Sequence, residues 1–179
     1  MIKVVLHSGM NFIIDNTFEI EKSPEYIQIG KDIKTVEFIR ALESKLLFVE
    51  AKSSFPNPNN PNPNPEKDNK TGKELFREEV EKICEKFVHS LNLYSSIAIG
   101  INGDGFPPDY MPSKKVSLDF VLVINGFQKS WCDEIKRALM NKICKSDSMT
   151  RIWKPQVFVM NHEDAQKCNI VHQNSDVEG

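Results

Sequence analysis

Apolar positions along this chain change their period from one region to the next, and those changes mark its elements. Through the first third, short runs alternate apolar and polar residues, the period-two signature of strands. Ile2 to His7, Asn11 to Ile14, Tyr26 to Ile29, Lys34 to Arg40 and Lys45 to Lys52 are predicted strands, separated by turn formers such as Ser8-Gly9, Gly30-Lys31-Asp32 and Glu43-Ser44. Phe18 to Tyr26 is equally compatible with a helical turn. The last two runs, joined by a short polar connection, predict an antiparallel hairpin.

A Pro/Asn-rich stretch over residues 55–70 then breaks the pattern. Alternating Pro and Asn removes backbone donors and steers each Asn away from helical angles, so an extended, solvated, mobile loop is expected. The period changes to 3.6 at Thr71-Gly72-Lys73-Glu74, a capping-box pattern. Phe76, Val80, Ile83, Phe87, Leu91 and Tyr94 form an apolar stripe, with Glu74, Glu78, Glu81 and Glu85 on another face. Whether that helix runs on through Ser95 to Ile99 or yields to a strand is left open by the pattern.

Lys115 to Ile124 predicts a strand buried on both faces. A second helix follows, with Ser130 and Asp133 as its capping pattern and Trp131, Ile135, Ala138, Leu139 and Ile143 as its apolar stripe. Arg151 to Met160 holds one more strand, centred on Val157-Phe158-Val159, and residues 170–179 are an expected frayed tail. The order of elements predicts a single α/β (α+β) domain over residues 1–179, a mixed central sheet flanked by helices.

Composition narrows the function classes. With 179 residues and a formal net charge of −2, nothing points to a generic nucleic-acid-coating protein, so any phosphate contact has to come from a local basic patch. Cys84, Cys132, Cys144 and Cys168 show no Cys-x-x-Cys pair and read as reduced thiols. The N-terminal stretch lacks a small-residue cleavage site, and no segment reaches the ~20 apolar residues of a membrane span. The expectation is a cytoplasmic protein with no membrane partner.

The candidate chemistry lies at the end of the Lys45 to Lys52 strand. Acid-x-Lys occurs repeatedly here, as in Asp32/Lys34, Glu43/Lys45, Asp68/Lys70 and Glu134/Lys136, but those pairs fall in turns, the Pro/Asn loop or a helix. Only Glu50-Ala51-Lys52 closes a strand that is apolar on both faces. On the preceding strand Glu37 stands between Val36 and Phe38, thirteen positions before Glu50. Opposed residues on antiparallel neighbours have Cβ atoms about 5 Å apart, so two such carboxylates repel unless a cation bridges them. Hard oxygen ligands suit Mg²⁺ or Mn²⁺. The plainer alternative is a strand-end ion pair that blunts a sheet edge.

With Glu37 as first acid and Glu50-Ala51-Lys52 as triplet, the stretch from Tyr26 to Ile124 resembles the PD-(D/E)xK nuclease superfamily. The resemblance implies a restriction-endonuclease-like core and a metal-dependent phosphodiesterase acting on DNA or RNA. Its catalytic residues would be Glu37, Glu50 and Lys52, and its ligands to Mg²⁺ or Mn²⁺ would be Glu37 and Glu50. It departs from the family pattern in having Glu37 in place of the usual Asp, with no Pro before it. An acid from the first helix, here Glu21 or Glu19, and a polar residue from the helix after the triplet, Lys86 or Lys82, are implied auxiliaries. The alternative within the same fold is a catalytically inactive subunit without metal that binds nucleic acid or a protein partner.

Other signals carry less. His7, His89, His162 and His172 have no metal-ligand spacing, and Asn102-Gly103-Asp104-Gly105 lacks the later Glu of a calcium loop. Lys114-Lys115 and the group Lys142, Lys145, Arg151 and Lys154 read as a solvated rim.

Overall fold

The computed structural model describes residues 3–30, 32–60, 69–112 and 115–173. A hairpin of β1 (Val4–His7) and β2 (Met10–Ile13) stands apart from a five-stranded sheet formed by β3 (Thr17–Phe18), β4 (Phe38–Ala41), β5 (Lys45–Lys52), β6 (Ser117–Ile124) and β7 (Gln156–Asn161), in that spatial order. The first hairpin turns at Ser8 and Gly9, both at positive φ, the handedness that tight hairpin turns require. Pairing is antiparallel from β3 to β5 and parallel from β5 to β7. The parallel steps need crossovers, supplied by α2 (Gly72–Ala98) and α3 (Lys129–Ile143).

Both helices cover one face of the sheet. Leu46, Phe48, Phe120 and Leu122 pack there against Ile83, Phe87, Leu91, Ile135 and Leu139. Phe87 stacks on Phe120 with ring centroids 4.6 Å apart. Burying each such side chain stabilises the fold by roughly 1.5–3 kcal/mol. Leu47, Val49, Ala51, Val121 and Val123 project to the other face, which the β1–β2 hairpin and the segment of α4 (His162–Lys167) cover with Met10, Phe12, Ala165 and Val171.

The mixed α+β sheet expected from the pattern is present. The capping box is formed as predicted, with the Thr71 N–H donating to Glu74 Oε2 at 2.7 Å and the Glu74 N–H to Thr71 Oγ1 at 3.3 Å. Helix α2 continues through Ser95 and Ser96 to Ala98, which resolves the open stretch in favour of helix.

Several expectations need correction; the strand foreseen over Lys34 to Arg40 begins only at Phe38, which leaves Glu37 in the bend before it. Tyr26 to Ile29 is helical, in α1 (Pro24–Ile29), because Ser23 Oγ accepts the Tyr26 N–H at 3.1 Å and Pro24 is pre-shaped for the first turn. Helix α3 starts at Lys129 with no side-chain cap, so Ser130 lies inside it. Trp131 leaves the apolar stripe at 37% exposure and Cys132 takes the buried position. Ile170 and Val171, placed in the frayed tail, are buried, with Val171 bridging to Phe12, while residues 174–179 lie outside the described residues.

The Pro/Asn stretch begins differently from a solvated loop. Phe55 is buried and meets Phe76 edge-on at 5.7 Å, and residues 57–60 close a turn through the Asn60 N–H to the Asn57 carbonyl at 3.1 Å. Residues 61–68, where the predicted mobile segment is centred, lie outside the described residues.

Candidate acid–lysine centre

Strand alternation sets the centre. Leu46 and Phe48 lie in the core beneath α2, so Glu50 and Lys52, two and four residues beyond Phe48, project to that same face. Glu50 is wholly buried. Residues three and four apart on α2 share a face, which brings Glu79, Lys82 and Lys86 over the end of β5. Lys86 Nζ lies 2.7 Å from Glu50 Oε1, and Lys52 Nζ lies 3.6 Å from the same oxygen. Lys52 also reaches Glu79 Oε1 at 2.9 Å, and Glu79 Oε2 is 3.5 Å from Lys82. Glu50 Oε2 is buried without a hydrogen-bond partner.

Burial dominates the electrostatics of Glu50. It pushes the carboxyl up to about 7, against the pull of Lys86, with the Glu37 charge adding to the rise. Desolvation draws the Lys52 ammonium down, but its bond to Glu79 and the charges of Glu50 and Glu79 outweigh that, and its pKa is raised. Glu79 is lowered, because its bonds to Lys52 and Lys82 and their charges overcome its own desolvation.

Glu37 occupies a bend just before β4. Phe38 pairs with Val49, so continuing that register by one step sets Glu37 opposite Glu50. The approach to it is pinned to α2, where buried Ser90 Oγ accepts the Val36 N–H at 2.8 Å. Glu37 Oε2 lies 3.0 Å from Nδ1 of His7, the last residue of β1. The His7 ring sits 6.3 Å from both Phe12 and Phe38, and its Nε2 is buried without a partner.

Of the sequence-predicted residues, Glu37, Glu50, Lys52 and Lys86 therefore fall in one neighbourhood, while Glu21 does not join them. Glu21 is exposed in a 3-10 turn, Ile20–Lys22, where its charge acts on Tyr26, and Glu19 pairs with Lys22 at 2.7 Å. Lys82 touches the group through Glu79. His7 and Glu79 were missed as members. Glu79 had a usable signal, its three- and seven-residue spacing to Lys82 and Lys86; His7 had none, since a separate hairpin delivers it.

Among the described residues no group of three or more His, Cys, Asp or Glu is arranged to hold a metal. Mg²⁺ is commonly held by one or two carboxylates and several waters; the unpartnered Oε2 of Glu50 is a donor of that kind, and Glu37 lies close enough for its charge to act on Glu50. No helix among the described residues is long and apolar enough to cross a membrane. In comparisons with known proteins, no family model, curated protein or solved structure matches this chain.

Proposed function

We propose that this chain is a metal-dependent phosphodiesterase that cleaves nucleic acid, built on a restriction-endonuclease-like core, with its working site at Glu37, Glu50 and Lys52. The observation that carries the reading is the buried Glu50 carboxylate at the carboxyl end of a central strand, with one oxygen held by lysines and the other unpartnered. Burying a charged group costs free energy, and a buried carboxylate that several charged side chains converge on is characteristic of working sites, so this placement favours a working role over a surface pair.

Glu37 and Glu50 would hold Mg²⁺ or Mn²⁺, which when bound supplies Lewis-acid activation of a phosphate and a more acidic water. Lys52, kept protonated by Glu79 and Glu50, steadies the negative charge that grows on the phosphate oxygens. Lys86 holds Glu50 in place and offsets its charge while no cation is bound. His7 fixes the orientation of the Glu37 carboxylate through Nδ1.

The test is incubation of the chain with labelled single- and double-stranded DNA and RNA in Mn²⁺, in Mg²⁺ and in chelator, beside Lys52→Ala. Cleavage that needs the cation and disappears in the variant is expected; cleavage that survives Lys52→Ala overturns the assignment. One observation favours a second reading, a binding subunit without metal: the Lys86 ammonium already sits 2.7 Å from Glu50, where a bound cation would act. Calorimetric titration with Mn²⁺ separates the two, since binding that Glu50→Gln abolishes excludes the metal-free subunit.

A further inference from the structure

A cavity of about 400 Å³ between α2, α3 and the turn at Trp153, and another of the same size beside Phe18 and Tyr110, lie away from the acid–lysine centre. A third, of about 360 Å³, begins at Ser54, two residues past Lys52. Two residues of extended chain span at most about 7 Å, so the Ser54 edge of this cavity lies within that reach of the Lys52 backbone.

Its lining is chemically selective. Trp131 supplies a flat aromatic wall, 37% exposed, with the Phe127 ring edge-on behind it at 5.1 Å. Asn57 and Asn60 supply amides, and among the described residues no Asp, Glu, Lys or Arg contributes to the wall. Asn57 Oδ1 accepts the Asn59 N–H at 2.9 Å, which leaves its NH₂ to donate elsewhere. The wall is also preformed. Gly72, at the start of α2, packs so closely on the Asn60 carbonyl that a Cβ there would collide with it. Rigid walls avoid the ordering cost of binding.

We infer that this cavity is a base pocket that takes one unpaired nucleobase of the strand whose phosphate lies at the acid–lysine centre. The inference rests on the proposed action on nucleic acid and narrows its substrate to single-stranded or locally unpaired chains. A flat ligand with donors and acceptors on its edge matches a pocket whose described walls are an aromatic ring and amides, and amide side chains pair with base edges. A base inside a duplex reaches such a pocket only by leaving the stack.

The full chain carrying Trp153→Phe leaves Trp131 as the one indole, because the sequence has two tryptophans. Titrated in chelator, deoxyadenosine 5′-monophosphate should change Trp131 emission saturably, and inorganic phosphate should not. In the native background, Trp131→Ala should weaken a labelled single strand about tenfold by anisotropy, the scale of losing one base–aromatic stack, and leave duplex binding unchanged. Trp131→Phe should restore most of the loss. Equal responses to nucleotide and phosphate, or equal losses on single strand and duplex, overturn the pocket. A chain that cuts nucleic acid while its Trp131 emission ignores the nucleotide also overturns it, yet leaves the phosphodiesterase intact. Emission that responds in a chain that never cuts keeps the pocket and removes the phosphodiesterase.

Discussion

Glu50 on β5 and Asp119 on β6 are both buried, and each has one carboxylate oxygen without a hydrogen-bond partner. Their surroundings separate them. Glu50 points toward α2 and meets Lys86 and Lys52, with Glu79 and Glu37 close by. Asp119 lies between Leu118 and Phe120, which pack beneath α2, so it projects to the opposite face, where Lys45, half exposed, approaches it at 3.7 Å. Burial of an acid is thus insufficient to define a centre. What distinguishes Glu50 is that a strand end, a helix face and a bend before a neighbouring strand deliver charged groups to one spot.

The largest expected effect tests that distinction directly. Glu50→Gln should lower metal-dependent cleavage about 10²–10³-fold, the scale seen when a preorganised electrostatic contact is removed. Asp119→Asn should leave the rate within about threefold. Initial rates on a labelled strand in Mn²⁺ measure both, and comparable losses would erase the difference between the two acids.

The next effect is on stability. The Glu50 carboxyl, ordinarily near 4.5, is pushed up to about 7, so between those values the folded chain keeps a proton that the unfolded chain releases. The resulting stability is fully present below about pH 4.5 and is lost as pH rises through about 7, by about 3 kcal/mol in total. Denaturant unfolding at pH 5, 6, 7 and 8 should show that fall in the native chain and in Asp119→Asn. In Glu50→Gln the difference between pH 5 and pH 8 should shrink by about that amount.

A smaller effect concerns His7. Partners that orient a ligating carboxylate change metal affinity about 10–100-fold when lost. His7→Phe keeps the ring between Phe12 and Phe38 but removes the bond to Glu37. Mn²⁺ binding by calorimetry should weaken about tenfold, and an unchanged affinity would show that Glu37 holds its position alone.

How far the sequence revealed this depends on how local each cause is. Strand β5, the Thr71 cap and β6 were legible because alternation and a capping box act over a few residues. Tyr26 to Ile29 alternates too, but the Ser23-Pro24 start imposed a helix on it. Glu50 and Lys52 were found because they end an apolar strand. Lys86 was named as an auxiliary from the resemblance, while Glu79 was passed over, because only the docking angle of α2 decides which of its charges look inward. His7 depended on a hairpin folding across the sheet, and Asp119 was hidden inside an apolar run, where a single acid leaves the strand pattern intact.

Asp119 therefore sharpens the comparison through the smallest effect. Its Lys45 contact is long, at 3.7 Å, and although Asp119 is buried the Lys45 ammonium is half exposed, so water screens the pair toward the range of about 0–1 kcal/mol of an exposed one. Its second oxygen already lacks a partner, so substitution by Asn orphans no group that was satisfied at that atom. Asp119→Asn should change unfolding free energy by no more than about 1 kcal/mol at pH 7, read from denaturant midpoints. A loss of about 3 kcal/mol or more would mean that Asp119 belongs to a buried charge network as binding as the one at Glu50, since breaking such a pair costs about 3–5 kcal/mol. The contrast between the two acids would then lie in which face of the sheet is open to substrate, with charge convergence common to both.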